Sequence, residues 1–198
     1  MLHPTVQTTT TQQVSIANET AVSTTSSGTS VSQATAAASS SQNQSKYEAN
    51  VASVAGKMDN RVIAAYQQLG FKIVVDPSVN YSGYFDARSR SITMKQIDDS
   101  VYHELGHFLA FIAGNVDKTA SFQSIFAAEK ANVTAFNKAY VTQNASEYFA
   151  ESVKDYILNN ASLKNTRPQT YAAVQNALNQ ITDAQIAKIQ KIYGAFWN

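Results

Sequence analysis

Residues 101–109 read Val-Tyr-His-Glu-Leu-Gly-His-Phe-Leu and contain the pattern His-Glu-x-x-His. On an α-helix, His103 and His107 lie one turn apart and project from the same face. Two imidazoles at this spacing can bind one zinc ion, and Glu104 beside them can accept a proton from a metal-bound water. The alternative is that both histidines are ordinary helix side chains. The pattern therefore predicts half of a metal site and leaves the remaining ligand to be found.

The residues around this pattern favour an α-helix. Apolar side chains recur at intervals of three and four positions, which predicts one buried stripe made of Val101, Leu105, Phe108, Leu109 and Ile112. The two histidines fall on a different side of the helix from this stripe. Residues 98–100 (Asp-Asp-Ser) are suited to the start of a helix, and Gly114 with Asn115 is suited to its end.

A metal bound by two histidines needs a further ligand, because a catalytic zinc site has three protein ligands and a water. The remaining histidine, His3, lies in a polar leader, so we expect the third ligand not to be a histidine. Asp117 follows the motif too closely, since the chain would have to double back at once. The candidates left downstream are Glu129, Glu147 and Glu151.

The stretch from Asn144 to Ser152 is the strongest candidate for this ligand. Glu147 and Glu151 lie one helical turn apart on one face, so one can bind the metal while the other orients a histidine ligand. Each also has an alternative role. Glu147 suits the third position of a capping box that begins at Asn144, and Glu151 suits a solvated helix charge. Capping and metal binding can coexist, and the spacing alone does not rank the two residues.

Composition narrows the other classes of function. With 198 residues the chain has room for one domain and a tail, and its net charge of +1 gives no reason to expect nucleic acid as a partner. The lack of cysteine excludes Cys-based zinc sites, disulfides and thiol nucleophiles. No run of eighteen apolar residues exists, so no membrane span is predicted. We expect a monomer.

Residues 1–45 differ from the rest of the chain. They are mainly Ser, Thr, Gln, Asn and Ala, and their only charged residue is Glu19. Such a segment buries too little apolar surface to offset its ordering entropy, so we predict a disordered leader or linker at 1–45 and a folded domain at 46–198. Leaders rich in Ser and Thr are common in exported proteins, and the lack of cysteine fits disulfide-free secretion. We therefore expect a secreted or extracellular protein whose signal peptide is not in this sequence.

From residue 46 onwards the pattern predicts a short sheet followed by helices, which is an α+β order. A helix is predicted at Tyr47–Leu69, a strand at Phe71–Val75 and a pair of strands within Tyr81–Met94. After the His-containing helix, largely helical segments follow at 119–140, 144–158, 167–181 and 183–197. The apolar positions predicted to be buried in these segments include Phe136, Ile192 and Phe196.

These residues resemble a known family. The stretch His103–His107, followed forty positions later by Glu147-Tyr-Phe-Ala-Glu151, is similar to the motifs of the catalytic domain of anthrax lethal factor. It is still more similar to those of the small secreted clostridial Pro-Pro endopeptidases. Tyr140, seven residues before Glu147, matches a tyrosine of that family. The resemblance covers roughly residues 47–197 and leaves out the leader.

The resemblance implies a zincin-like α+β domain of the gluzincin type, with a short mixed sheet, an active-site helix and a helical C-terminal half. It implies one zinc ion per chain, bound by His103, His107 and Glu147, with Glu151 orienting a histidine ligand. Glu104 would be the general base, and Tyr140 would donate its hydroxyl to the oxyanion. Without the resemblance, Tyr140 would be one of ten tyrosines and a buried aromatic.

We predict a zinc-dependent metalloendopeptidase that acts on extended protein segments. We expect such a segment to lie along the strand 90–95, where Ser91, Ile92, Thr93 and Met94 would supply main-chain hydrogen bonds. The basic residues of this stretch could instead guard a free edge. The small size favours the Pro-Pro branch and proline-containing substrates. Two other classes stay open, namely a non-catalytic adhesion or binding module that retains the zinc site, and a zinc hydrolase of cell-wall peptides.

Overall fold

The computed structural model describes residues 45–197. This part of the chain has four β-strands: β1 (Tyr47–Ala49), β2 (Lys72–Val75), β3 (Gly83–Asp86) and β4 (Ser91–Met94). Its nine α-helices are α1 (Val51–Val54), α2 (Asn60–Gln68), α3 (Ser100–Ile112), α4 (Ala120–Glu129), α5 (Lys138–Val141), α6 (Ala145–Leu158), α7 (Asn160–Thr166), α8 (Pro168–Asn179) and α9 (Asp183–Tyr193). The predicted leader lies outside the described residues, so the proposed boundary after residue 45 stays a prediction.

The predicted α+β class is confirmed: all four strands lie before residue 95, and seven of the nine helices lie after it. The sheet is mixed and has the order β1-β2-β4-β3. β2 and β4 are parallel, whereas β1 and β3 pair antiparallel with their neighbours. β3, which follows β2 in the chain, therefore does not pair with β2. β4 lies between them, and β3 forms the edge of the sheet. Among the helices of residues 45–197, none is both long and apolar enough to cross a bilayer.

The predicted helix at Tyr47–Leu69 is wrong in its first half. Tyr47–Ala49 form the strand β1, which pairs with Ile73–Val75 of β2. Asn50 then caps α1, and Asp59 caps α2, so two short helices replace one long one. The apolar periodicity of a helix extends back to residue 47, but residues 47–49 pair with β2, and this pairing outweighed the local helical preference. The predicted end at Gly70 is confirmed by its left-handed backbone, with φ of +72°.

The strand β4 lies inside the sheet, which contradicts the prediction that a peptide would add to it. Ser91–Met94 pair with β2 on one side and with β3 on the other. The side chains of Ile92 and Met94 are fully buried. Main-chain pairing with a substrate therefore cannot involve Ser91, Ile92, Thr93 or Met94, since their hydrogen-bonding groups face the neighbouring strands. Within residues 45–197, the edge strands of the sheet are β1 and β3, and neither has a second partner there.

The helix α3 occupies the centre of the domain, between the sheet and the helical half. All five residues of the predicted apolar stripe are fully buried. Its far end joins an aromatic cluster in which Phe108 and Phe111 contact the rings of Phe71 and Phe85. Burial on nearly every side means that α3 cannot move without disturbing the core.

Three of the predicted core side chains are exposed. Ile192 and Phe196 are about half or more exposed, and Phe136 projects fully into solvent. Phe136 lies in the loop between α4 and α5, between the buried Val133 of that loop and the buried Val141 at the end of α5. Helical periodicity does not apply to Phe136, because it lies before α5, which begins at Lys138.

Candidate metal site

His103 and His107 face the same side of α3, as the spacing predicted. Their ring centroids are 5.0 Å apart and the rings are nearly perpendicular, at 79°. The side chain of Asp98 accepts hydrogen bonds from the backbone and hydroxyl of Ser100, which fixes the first turn of α3. His103 is buried, whereas His107 is partly open to solvent. A ligand shared by the two imidazoles would therefore be held on a rigid helix and would be accessible to solvent from the side of His107.

Glu147, on the first turn of α6, completes a group of three ligand side chains. One of its carboxylate oxygens lies 3.1 Å from Nε2 of His103 and 3.6 Å from Nε2 of His107. Ligand atoms of these three residues all lie within 4.8 Å of one another. Bonds of about 2.1 Å in a tetrahedron separate two ligands by roughly 3.4 Å. The donor set and its spacing therefore fit a metal ion with little rearrangement.

The capping role predicted for this region coexists with that geometry. The side chain of Asn144 accepts a hydrogen bond of 2.9 Å from the backbone N–H of Glu147. This bond satisfies one of the orphan donors at the start of α6. The side chain of Asn144 is therefore the cap, and only the backbone N–H of Glu147 takes part in it. The Glu147 carboxylate is left to contact the histidines and completes the group.

A close crossing of α3 and α6 brings the two halves of the site together. A Cβ atom on Gly106 would lie 2.7 Å from both the Cα and the carbonyl oxygen of Ala150. Any side chain at position 106 would therefore push the two helices apart. Sequence reasoning missed this role, although a glycine in the middle of a helix costs stability and signals close packing. Gly106 lies between the two histidines, and Ala150 lies between the two glutamates.

Glu151 contacts the other side of His103. Its carboxylate lies 2.9 Å from Nδ1 of His103, and its second oxygen lies 3.3 Å from the Nζ of Lys154. A hydrogen on Nδ1 that is donated to Glu151 leaves Nε2 of a neutral His103 as the free lone pair. Glu151 is buried, so its alternative role as a solvated helix charge is wrong.

The electrostatics of this group favour a bound cation. Burial by itself lowers the pKa of His103, but hydrogen bonds to Glu147 and Glu151 outweigh it and raise that pKa to about 9. Burial likewise opposes charge on Glu147, yet its contacts with the two histidines hold its pKa far below the ordinary range. The carboxylates that attract a proton to His103 would equally attract a metal ion, which must displace that proton.

Glu104 takes no part in the three-residue group. It is 6% exposed, and burial raises the pKa of its carboxyl group, while His107 and His103 act in the opposite direction. Its carboxylate packs against Gly83 of β3. A buried carboxyl group with a raised pKa beside a metal site has the properties expected of a proton acceptor.

Tyr140 lies at the opening of the site, on the short helix α5. Its ring centroid is 6.4 Å from that of His103, and its side chain is about half exposed. The alternative of a buried core aromatic is therefore wrong. Burial of the hydroxyl, together with the negative charge of Glu147, raises the pKa of Tyr140, so the phenol keeps its proton at neutral pH. It can act as a hydrogen-bond donor there.

The other acidic candidates have structural roles elsewhere. Glu129 is buried, and its carboxylate accepts hydrogen bonds from the backbone of Gln169 and Thr170 at the start of α8. Asp117 is also buried and accepts a hydrogen bond of 2.6 Å from the hydroxyl of Ser146. Both carboxylates are therefore already used to join helices.

The free edge of β3 lies beside Glu104. The backbone N–H of Lys95 donates to the carbonyl oxygen of Ser82, which extends the pairing of β3 with β4 by one residue. Hydrogen-bonded and non-bonded pairs alternate along an antiparallel ladder, so Gly83 and Phe85 direct their N–H and C=O groups away from β4. The backbone N–H of Phe85 donates a hydrogen bond to the Glu104 carboxylate. The N–H and C=O of Gly83 and the C=O of Phe85 face the edge that borders the candidate site.

Fold and site together define an α+β domain with a His-His-Glu group that could hold a metal ion. Comparison with protein families gives a more particular relationship. The model of a family described as "Anthrax toxin lethal factor, N- and C-terminal domain" matches residues 86–177, a range that contains His103, His107 and Glu147. This match indicates a lethal-factor-like relationship for that part of the chain. No curated protein matches the sequence.

Proposed function

We propose that this protein is a zinc metalloendopeptidase of the gluzincin type. The observation that carries the proposal is the convergence of His103, His107 and Glu147 with Glu104 held beside them but outside the ligand group. Two histidines, one carboxylate and a water form a common catalytic zinc site. The lethal-factor-like match supports the same reading.

The roles of the protein residues follow from their positions. A bound zinc ion would polarise the scissile carbonyl group and lower the pKa of the attacking water. Glu104 would accept the proton of that water and deliver it to the leaving amine, and its raised pKa suits both steps. Tyr140 would donate its hydroxyl to the oxyanion of the tetrahedral intermediate. Glu151 would hold the ring of His103 through Nδ1.

We also propose that an extended substrate pairs with the free edge of β3. This edge replaces β4, the strand favoured by sequence reasoning, because β4 is enclosed on both sides. Main-chain pairing with Gly83 and with the C=O of Phe85 would bring a peptide bond next to Glu104. An open strand edge suits a polypeptide better than a small cell-wall peptide. A non-catalytic binding module would need neither Glu104 nor Tyr140 in these positions.

Localisation outside the cell is part of the same proposal. The Ser/Thr-rich composition of residues 1–45 and the lack of cysteine support it. A monomer that acts on protein segments, including proline-containing ones, fits the small size of the domain. Fractionation of the native producer with an antibody against the domain would locate the protein.

Metal analysis and peptide digestion test the proposal together. We expect about one zinc ion per chain, since three ligands and a water complete a four-coordinate site. Zinc affinity should rise with pH up to about 9, because the proton on His103 must leave before its Nε2 can bind. Incubation with a peptide library should give cleavage products by mass spectrometry, and a zinc chelator should remove them. Protein that binds no zinc after reconstitution would contradict the proposal.

Replacement of Tyr140 by Phe tests the oxyanion donor. The variant keeps the ring and loses only the hydroxyl, so zinc content and melting temperature should stay the same. Because charge develops on the oxyanion only in the transition state, kcat should fall by roughly 10²–10³-fold with little change in KM. Tyr47→Phe, at a similarly exposed tyrosine on β1, is the matched control. Full activity of Tyr140→Phe would remove Tyr140 from the mechanism.

A further inference from the structure

Gly83 lies so close to the Glu104 side chain that no larger residue fits at position 83 without movement. A Cβ atom built on Gly83 would lie 2.6 Å from Oε1, 2.7 Å from Cγ and 2.9 Å from Cδ of Glu104. These distances are shorter than carbon atoms tolerate without movement. The φ angle of Gly83 is not in the left-handed region, so the backbone does not require glycine at this position. Space for the Glu104 side chain is a reason for a glycine there that the contacts themselves supply.

Glu104 has little freedom to avoid such a clash. Its side chain is 6% exposed and lies between α3 and the sheet. The face of β3 that carries Gly83 also carries Phe85, whose ring contacts Phe108 and Phe111 of α3, so strand and helix are held together by the core. A Cβ at position 83 would therefore displace the Glu104 carboxylate by rotation about the side-chain bonds of Glu104.

We propose that Gly83 is a positioning residue for Glu104: it leaves only a hydrogen atom where the carboxylate must lie. This inference rests on the proposed function, in which Glu104 is the general base. It assigns a specific role to the edge strand besides pairing with substrate. The N–H and C=O of Gly83 face the free edge, whereas a new Cβ would point towards α3. The two roles of Gly83 are therefore separable by mutation.

The Gly83→Ala variant should lower kcat while KM stays within about twofold, because the backbone groups that pair with substrate are unchanged. Displacement of a catalytic group by about 1 Å can cost on the order of 10²-fold, so we expect a loss of at least tenfold in kcat. Zinc content and melting temperature should match those of the wild type. Gly194→Ala is the matched control, since a Cβ there meets nothing closer than 3.7 Å.

A double-mutant cycle with Glu104→Asp separates positioning from general damage. The shorter carboxylate withdraws from Gly83, so adding Gly83→Ala to the Glu104→Asp background should change kcat by less than about twofold. Equal losses in both backgrounds, or a large fall in melting temperature, would show that alanine harms the fold and would overturn the inference. So would full activity of Gly83→Ala in an enzyme that Glu104→Gln inactivates.

A crystal structure of the Gly83→Ala variant decides the matter without an activity measurement. The expected result is a displaced Glu104 carboxylate above unchanged His103 and His107 side chains. An unmoved carboxylate beside the new methyl group would overturn the inference. A wild-type protein that cleaves no peptide would count against the proposed function alone, because this structural comparison would still test the contact between Gly83 and Glu104.

Discussion

Replacement of Glu104 by Gln is expected to lower the proposed peptidase activity by several orders of magnitude without a loss of zinc binding. Glutamine has nearly the same size as glutamate but cannot accept the proton of the attacking water. The loss should be about 10²–10⁴-fold in kcat, the usual contribution of general acid–base catalysis. Zinc content should be unchanged, because Glu104 is not among the three ligand residues. Single-turnover cleavage assays and metal analysis on the same sample measure both quantities.

The control for this variant is a change at another glutamate with no contact to the site. Glu48→Gln alters an exposed side chain on β1 that pairs with Lys72, so it should leave activity unaffected. Loss of zinc in Glu104→Gln would mean that the residue is a ligand. Retained activity would mean that another group accepts the proton, and the proposed mechanism would have to be abandoned.

Replacement of Glu147 by Ala is expected to remove most of the zinc affinity, and replacement of Glu151 by Ala much less. The carboxylate of Glu147 contacts both histidines. Of these two histidines, Glu151 contacts only His103, at Nδ1. Loss of an outer partner of a histidine ligand typically costs about 10–100-fold in metal affinity. Zinc titration with a competing chelator should therefore show a much larger loss of zinc affinity for Glu147→Ala than for Glu151→Ala.

Both variants should fold, which keeps the comparison clear. The Asn144 cap accepts its hydrogen bond from the backbone of Glu147, so Glu147→Ala keeps that bond. Circular dichroism in the metal-free state should show similar helix content for both proteins. The reverse order of zinc affinities would exchange the two roles. Small and equal losses would show that neither glutamate binds the metal.

Local signals predicted much of this site. The His-Glu-x-x-His spacing, its apolar stripe and its flanking residues specify a helix and place both histidines on one face. The hairpin of β3 and β4 follows from two short strand patterns around a turn. Asn144 and Glu147 signal the start of α6. Each of these features depends on residues within about four positions, where backbone geometry fixes the outcome.

Long-range packing decided what the sequence left open. Spacing did not rank Glu147 and Glu151, and only the crossing of α3 over α6 at Gly106 and Ala150 set their distances to the histidines. Phe136 is another example: its apolar side chain predicted burial, but the loop that carries it leaves the ring exposed.

The sheet edge shows the same division most clearly. The sequence patterns predicted the strands β2, β3 and β4, but β1 was predicted as part of a helix and β4 was wrongly predicted to be an edge strand. Strand order depends on pairing between segments far apart in the chain, and no local periodicity encodes it. The sequence by itself therefore determined the chemistry of the candidate site, namely two histidines, nearby glutamates and an α+β order. Spacing left Glu147 and Glu151 unranked, and the resemblance alone assigned Glu147 as the ligand. The tertiary structure supplied the distances that bring Glu147 to both histidines, and it placed β3, with Gly83 against Glu104, as the strand that borders the site.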